Sequence, residues 1–242
     1  MNEDNVVLEE TVRNDYSHVI DEDIFQKRAE DEIILCLNYN GLYGLNNINK
    51  LLQLNNPNPT VTLGIWQFKI GDPILFNDSG RFELLYNNLK GIIVDIRENE
   101  AYIYFKIQVD AYFTKTEIQH EHELDYIKHI NQKTIIGFKV YRTKPFESDG
   151  DFAENRHILP FQVAYAVSIH KAQGLEYDSV KIVIADETEE KITHNIFYTA
   201  ITRARKELMI YWSPEVCNRI LKRICPSDYN KDYFLLKAKN NL

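Results

Sequence analysis

Two short stretches near the C-terminal end carry side chains suited to phosphate chemistry. "SIHKAQGLEYDSV" (Ser168–Val180) offers Ser168, His170 and Lys171 as donors directly after an apolar, strand-like run. Open α/β sheets place ligands at the C-terminal ends of their strands, so these donors stand where a polyanion would be met. Gly174 lets a backbone approach closely, and the Glu176 carboxylate could accept from a sugar hydroxyl. "FYTAITRARKELMIY" (Phe197–Tyr211) carries Arg203 and Arg205 on a helical pattern whose apolar stripe is Phe197, Ala200, Ile201, Ala204 and Leu208. Arg203 projects from a different face, near Thr199 and Thr202. A guanidinium held at the end of a helix–strand unit suits a polyphosphate, because its planar fork matches phosphate oxygens. The plainer readings are a polar loop with a capping serine, and surface arginines that are solvated or paired with Glu207.

No GxxxxGK[ST] segment occurs anywhere in the chain, so it has no standard phosphate cradle of its own. "VIADETEE" (Val183–Glu190) looks like the strand-end acid pair that holds magnesium in nucleotide hydrolases. Without an upstream phosphate loop it reads as acids near solvent. "HEHELD" (His120–Asp125) alternates like an exposed polar strand or loop, so no metal site is assigned to it.

The elements that must position the two stretches follow from periodicity. "EIILCL" (Glu32–Leu37) is a buried strand, and Leu45, Ile48, Leu51 and Leu52 form a helix stopped at Asn56-Pro57. "VAYAVS" (Val163–Ser168), "VKIVIA" (Val180–Ala185) and "LMIYW" (Leu208–Trp212) are further strands, and a last helix covers roughly 215–224. Between them the style changes. "GIIVDI" (Gly91–Ile96), "AYIYFKIQV" (Ala101–Val109) and "TIIGFKVYR" (Thr134–Arg142) are rich in β-branched and aromatic residues. In the second, Ile103, Phe105, Ile107 and Val109 face one way, and Tyr102, Tyr104 and Lys106 the other. The expected architecture is one parallel α/β domain split by a small antiparallel barrel: 1–70, then the barrel at 71–160, then 161–242.

Composition fits a folded, reducing-compartment protein. Apolar residues are 44% and charged residues 26% of 242. Cys36, Cys217 and Cys225 show neither metal spacing nor an even disulfide count. No apolar run approaches the roughly 18 residues of a membrane span, and the N-terminus is no signal peptide, so a cytoplasmic location is expected. The net charge of −8 opposes wholesale coating of nucleic acid. Its distribution is uneven: residues 161–242 hold 12 basic and 10 acidic side chains, the first 160 hold 16 and 26. A polyanion site belongs in the C-terminal third or in a local groove.

Together the two stretches resemble motifs V and VI of superfamily 1 helicases of the UvrD/RecD type. The first is similar to the pattern T-x-H-K-x-Q-G-x-E-x-D-x-V, and "YTAITRARKEL" to Y-T-A-x-T-R-A-+-x-x-L. "LEETVRND" (Leu8–Asp15) is similar to motif IV, with Arg13 at the arginine position and Val12 where an aromatic is common. "ILCLNYNGLYGLNNINKLL" and "GDPILFNDSG" resemble further RecD-type segments. The resemblance is strong over 163–212 and weak over the barrel.

The resemblance implies a RecA-like, P-loop-NTPase-type parallel sheet flanked by helices, with an inserted antiparallel β-barrel. It implies the second RecA-like domain of an ATP-dependent DNA helicase, with ATP and Mg2+ held mainly by the N-terminal RecA-like domain. On that implication Arg203 is the arginine finger and Arg13 a second γ-phosphate contact. Gly174 and Glu176 would contact the nucleotide, and Gln173 would couple the ATP and DNA sites. Ser168, His170 and Lys171 would touch the backbone of single-stranded DNA, or of RNA. The chain alone is then expected neither to hydrolyse ATP nor to unwind DNA. Two other readings stay open: a catalytically inert helicase-like interaction module, and a nuclease or nucleic-acid-binding repair accessory that uses the barrel for binding.

Overall fold

In the computed structural model, residues 29–37, 39, 44–77, 79–143, 155–184 and 192–223 are described. The strands in chain order are β1 (Glu32–Cys36), β2 (Val61–Leu63), β3 (Trp66–Phe68), β4 (Pro73–Phe76), β5 (Lys90–Glu98), β6 (Tyr102–Val109), β7 (Asp125–Ile130), β8 (Lys133–Tyr141), β9 (Phe161–Val163), β10 (Ala166–Ser168), β11 (Tyr177–Val183) and β12 (Ala204–Tyr211). The helices are α1 (Leu45–Leu54), α2 (Lys115–His120), α3 (His194–Ile201) and α4 (Pro214–Arg223). The chain divides into two compact units, one built from residues 48–166 and the other from the described residues on either side.

The flanking unit holds a four-stranded sheet in the order β10-β1-β11-β12. β1 and β11 run parallel, with Ile34 opposite Lys181, and β11 and β12 run parallel, with Val180 opposite Leu208. Ile33, Ile34, Leu35, Val180 and Ile182 are buried, as continuous apolar runs in a parallel sheet should be. One charge lies among them. Lys181 is fully buried and donates to Glu32 at 2.9 Å, and Glu32 also accepts from Ser179 Oγ at 2.9 Å. A buried ion pair is tolerated only with such added hydrogen bonds.

The other unit is a six-stranded antiparallel sheet in the order β7-β8-β6-β5-β4-β9, preceded by the β2–β3 hairpin. Phe138 on β8 and Phe161 on β9 lie four strand steps apart, which is about 19 Å in a flat sheet at ~4.8 Å per step. Their ring centroids are 6.1 Å apart, so the sheet is rolled into a barrel-like wall around its core. Ile103, Phe105, Ile107 and Val109 are all inside that core, on the face assigned to them from alternation. Just before β4, Asp72 is fully buried and accepts from Gln53 Nε2 (2.5 Å), Asn56 Nδ2 (2.9 Å), Lys69 N (2.8 Å) and Tyr165 OH (2.9 Å).

The fold class expected from sequence, a parallel α/β sheet with helices and an antiparallel insert, is the one observed. The insert is wider than 71–160. It takes in the β2–β3 hairpin, and β9 pairs with β4 through Ile74 opposite Val163. The single strand read at 163–168 is therefore two short strands in different sheets. Its apolar run contains no Gly or Pro to mark the handover. HEHELD is mostly a turn, the loop option of that reading: it runs from the end of α2 to the first residue of β7, with Glu121 accepting from Leu84 N and Glu123 pairing with Arg81 and Arg156. Among the described residues, no group of three or more His, Cys, Asp or Glu could hold a metal ion, and no helix is long and apolar enough to cross a membrane.

Candidate functional site

Directly after β10 the chain winds into a tight turn. Ser168 Oγ accepts from Lys171 N (3.2 Å), Ser168 O from Ala172 N (3.1 Å), His170 O from Gln173 N (3.3 Å) and Ala172 O from Leu175 N (3.0 Å). Ile169 and Ala172 are buried and anchor the turn from within. The winding leaves His170, Gln173, Gly174 and Glu176 exposed and Lys171 half-buried. Burial holds the Lys171 ammonium below its ordinary pKa. Gly174 sits at φ +83°, in the left-handed region, and a Cβ added there would meet nothing within 4 Å. The constraint at this position is therefore conformational rather than steric.

Ser168 departs from its expected place. It is 4% exposed and its hydroxyl caps the turn, as the plainer reading had it. The serine shapes the turn; the exposed donors of this stretch are His170 and the main chain around Gly174.

Arg203 follows α3 rather than lying on it. Thr193 caps the start of α3 by accepting from Ile196 N, and the helix ends at Thr202, whose hydroxyl turns back on Tyr198 O at 2.9 Å and Thr199 O at 3.2 Å. The last carbonyls of a helix lack intrahelical partners and carry partial negative charge. Arg203 answers that need: Nε donates to Thr199 O (2.8 Å) and Nη2 to Thr202 Oγ1 (2.9 Å). Nη1 donates to Leu175 O at 3.1 Å. The Arg203 carbonyl in turn accepts from Tyr177 N at 2.9 Å. Side chain and main chain thus both tie Arg203 to the segment that follows Gly174. A guanidinium has five N–H donors; one on each terminal nitrogen is left over after these bonds. No carboxylate pairs with Arg203 among the described residues.

The apolar stripe read as one long helix is corrected here. Ala204 and Leu208 belong to β12, and Leu208 is 41% exposed. Thr202 ends the helix, and the run beyond it, Ala204–Tyr211, pairs with β11. Arg205 does not pair with Glu207. It donates to Asp178 (3.0 Å) and Asp31 (2.6 Å), and Lys206 donates to Asp178 (2.8 Å). The bond from Lys206, aided by both positive charges, holds the Asp178 carboxyl below its ordinary pKa. These pairs are exposed and stitch the surface of β11 to β12. Arg13 and the acidic segment 186–190 lie outside the described residues.

The structure therefore brings the middles of the two quoted stretches together. The carbonyl that holds Arg203 Nη1 belongs to Leu175, between Gly174 and Glu176. Sequence reasoning missed that carbonyl because a main-chain acceptor leaves no signature. Thr202 was legible in principle, since a hydroxyl after an apolar helical stripe often bonds the preceding turn.

Comparison with known proteins agrees with the motif reading. The family described as UvrD-like helicase C-terminal domain matches residues 163–211. The chain is 23% identical over 197 residues to the RecBCD enzyme subunit RecD of Buchnera aphidicola, covering 78% of this chain and 26% of that protein. It is 36% identical over 59 residues to the ATP-dependent RecD2 DNA helicase of Deinococcus radiodurans, covering 24% of this chain and 8% of that one. A crystal structure of Pif1 helicase from Bacteroides in complex with ADP-AlF3 and ssDNA aligns with 99% of this chain and 55% of its own, at 15% identity and a TM-score of 0.47. The chain spans about a quarter of the length of the Buchnera RecD protein, 26%. The resemblance to the C-terminal domain of superfamily 1 helicases is thereby upheld.

Proposed function

We propose that the chain is the C-terminal RecA-like domain of an ATP-dependent superfamily 1 DNA helicase, and that Arg203 is its arginine finger. The observation that carries this reading is the fixing of the Arg203 guanidinium by Leu175 O, Thr199 O and Thr202 Oγ1, with two N–H donors uncommitted.

The residues present suit a nucleotide. Arg203 offers donors to phosphate oxygens, the exposed turn at Gly174 lets a ligand reach the backbone, and the Glu176 carboxylate suits a ribose hydroxyl. On this reading most of the triphosphate and its Mg2+ would be held by the N-terminal RecA-like domain of the same helicase. When bound, ATP supplies the γ-phosphoryl bond that is broken and Mg2+ neutralises charge on its oxygens. Arg203 contributes positive charge where negative charge grows in the transition state. Three hydrogen bonds orient it beforehand, so little reorganisation is needed at the moment of reaction. Arg13 is assigned as a second γ-phosphate contact by the motif IV resemblance alone.

His170 and Lys171 take the phosphodiester backbone of a single strand, without base readout, while Ser168 holds their turn. Gln173 stands between these donors and Gly174 on the same turn. Because Arg203 is bonded to the carbonyl after Gly174, a shift of the finger is passed to the strand contacts, which is the coupling a translocating enzyme needs.

Binding of labelled oligo-dT by the chain, measured by anisotropy across a salt series, tests the strand assignment. His170→Ala with Lys171→Ala should weaken binding and flatten the log–log salt slope by about 0.7 per lost phosphate contact. An unchanged affinity and slope would remove both residues from the strand site.

A further inference from the structure

The outer face of the six-stranded sheet carries a feature that the ATP and strand assignments do not use. Tyr104, on β6, lies across the sheet rather than standing off it. A Cβ at Gly137 on β8 would meet its phenol oxygen at 2.0 Å and its Cζ at 2.7 Å, so the ring covers that glycine. The hydroxyl reaches on to Asp125 on β7, donating at 2.9 Å. The phenol end is thus carried over β8 and tied to β7. Tyr104 is half-buried.

Beside it opens a shallow cleft of about 230 Å³ lined by Arg97, Glu98, Asn99, Tyr102, Tyr104 and Lys139. That is below the roughly 300–1,000 Å³ of pockets that engulf a drug-sized ligand. It suits one planar ring laid on the platform, with the rest of the ligand outside. The charges around it are unequal in their pairing. Glu98 pairs with Arg142, Asp95 with Lys106 at 2.9 Å and Arg97 at 3.1 Å, and Asp125 with Tyr104. Lys139 makes no ion pair with a carboxylate among the described residues; its ammonium lies 4.8 Å from the Tyr102 ring centroid. The Arg97 side chain is 70% exposed and keeps donors beyond its one bond to Asp95. A neutral aromatic platform flanked by a cation without a counter-charge matches a base joined to a phosphate.

We propose that this cleft binds one unstacked nucleotide of a single-stranded nucleic acid, the base lying on the outer face of Tyr104 and the adjoining phosphate on Lys139 and Arg97. Stacking on a tyrosine face is tolerant of base identity, so the contact is sequence-neutral. The site shares a ligand class with the strand assignment above but rests on its own residues, all in the barrel unit.

Anisotropy of labelled oligo-dT with the whole chain tests it. Tyr104→Leu should weaken binding about ten-fold, whereas Tyr104→Phe, which keeps the ring and loses only the bond to Asp125, should stay within about two-fold of the parent. Lys139→Ala, at an exposed position, should flatten the salt slope by about 0.7. Photocrosslinking of a 5-iodouracil oligonucleotide to the unsubstituted chain should label Tyr104 or Tyr102, and it depends on no variant folding. Variants at His170 and Lys171 should leave that crosslink in place, which separates failure here from failure of the other strand site. Labelling only outside the barrel unit, or an equal loss in Tyr104→Phe and Tyr104→Leu, would overturn the proposal. So would a proline-rich peptide that displaces nothing from the oligonucleotide yet perturbs Tyr104 and Tyr102 in an NMR titration.

Discussion

The Arg203 guanidinium donates to the main-chain oxygen of Leu175 at 3.1 Å, and the Tyr177 amide returns a bond of 2.9 Å to the Arg203 carbonyl. Two segments 28 residues apart in sequence are thus fastened at the point where each carries its distinctive residues. The bond has a structural part, because Arg203 also covers the open carbonyls at the end of α3. It has a second consequence: the cation is held in one orientation with donors to spare.

Gly174 should resist replacement for a conformational reason alone. At φ +83° an L-side chain is strained by roughly 1–2 kcal/mol, although the added methyl would touch nothing. Gly174→Ala is expected to lower the stability measured by urea denaturation by about that amount, and Gly174→Asn by less, since Asn tolerates the left-handed region. Equal stability of all three proteins would contradict the local geometry.

Gly137 should show a change of sign with its neighbour. Gly137→Ala alone displaces the Tyr104 ring and its bond to Asp125, at an expected cost of about 1–2 kcal/mol. In a Tyr104→Ala background the ring is gone, and the same substitution should be neutral or mildly stabilising, because alanine loses less backbone freedom on folding. A double-mutant cycle reads the difference directly.

Asp178 supplies a pH test. Its carboxyl titrates below the ordinary 3.8, chiefly through the bond from Lys206, with the charges of Lys206 and Arg205 adding to it. A depressed carboxylate stabilises the fold above its unfolded pKa, and that stabilisation is lost as pH falls through the folded value. Lys206→Met should therefore move the Asp178 carboxyl resonance, followed by NMR, upward toward 3.8 and shrink the acid-side loss of stability. A titration that does not move would show that Lys206 is not its partner in solution.

Much of this structure was readable in the residues. β1, β6, β8, α1 and α4 fall within a residue or two of the runs that announced them, because their periodicity is strong and their ends carry turn residues. The inward face of β6 was legible for the same reason. The failures cluster where an apolar pattern is shared by two elements. Ala204 and Leu208 continued the helical spacing of α3 by coincidence, and only the Thr202 cap and the pairing with β11 turn them into strand. Phe161–Ser168 hid a change of sheet. Within the candidate site, the main-chain partners of Arg203 left no signature in the sequence. Ser168 was read as a ligand donor and is found capping its own turn.

The most direct measurement is ATP turnover by the full-length protein carrying Arg203→Ala, with ATP affinity and thermal stability measured on the same samples. Hydrolysis should fall by about 10³-fold or more, while ATP binding stays within a few-fold and the fold persists. Added guanidinium ion should restore part of the rate, which a loss of helix capping alone would not allow. Turnover equal to that of the unsubstituted protein, or a loss that follows stability and is not rescued by guanidinium, would contradict the assignment of Arg203 as the finger.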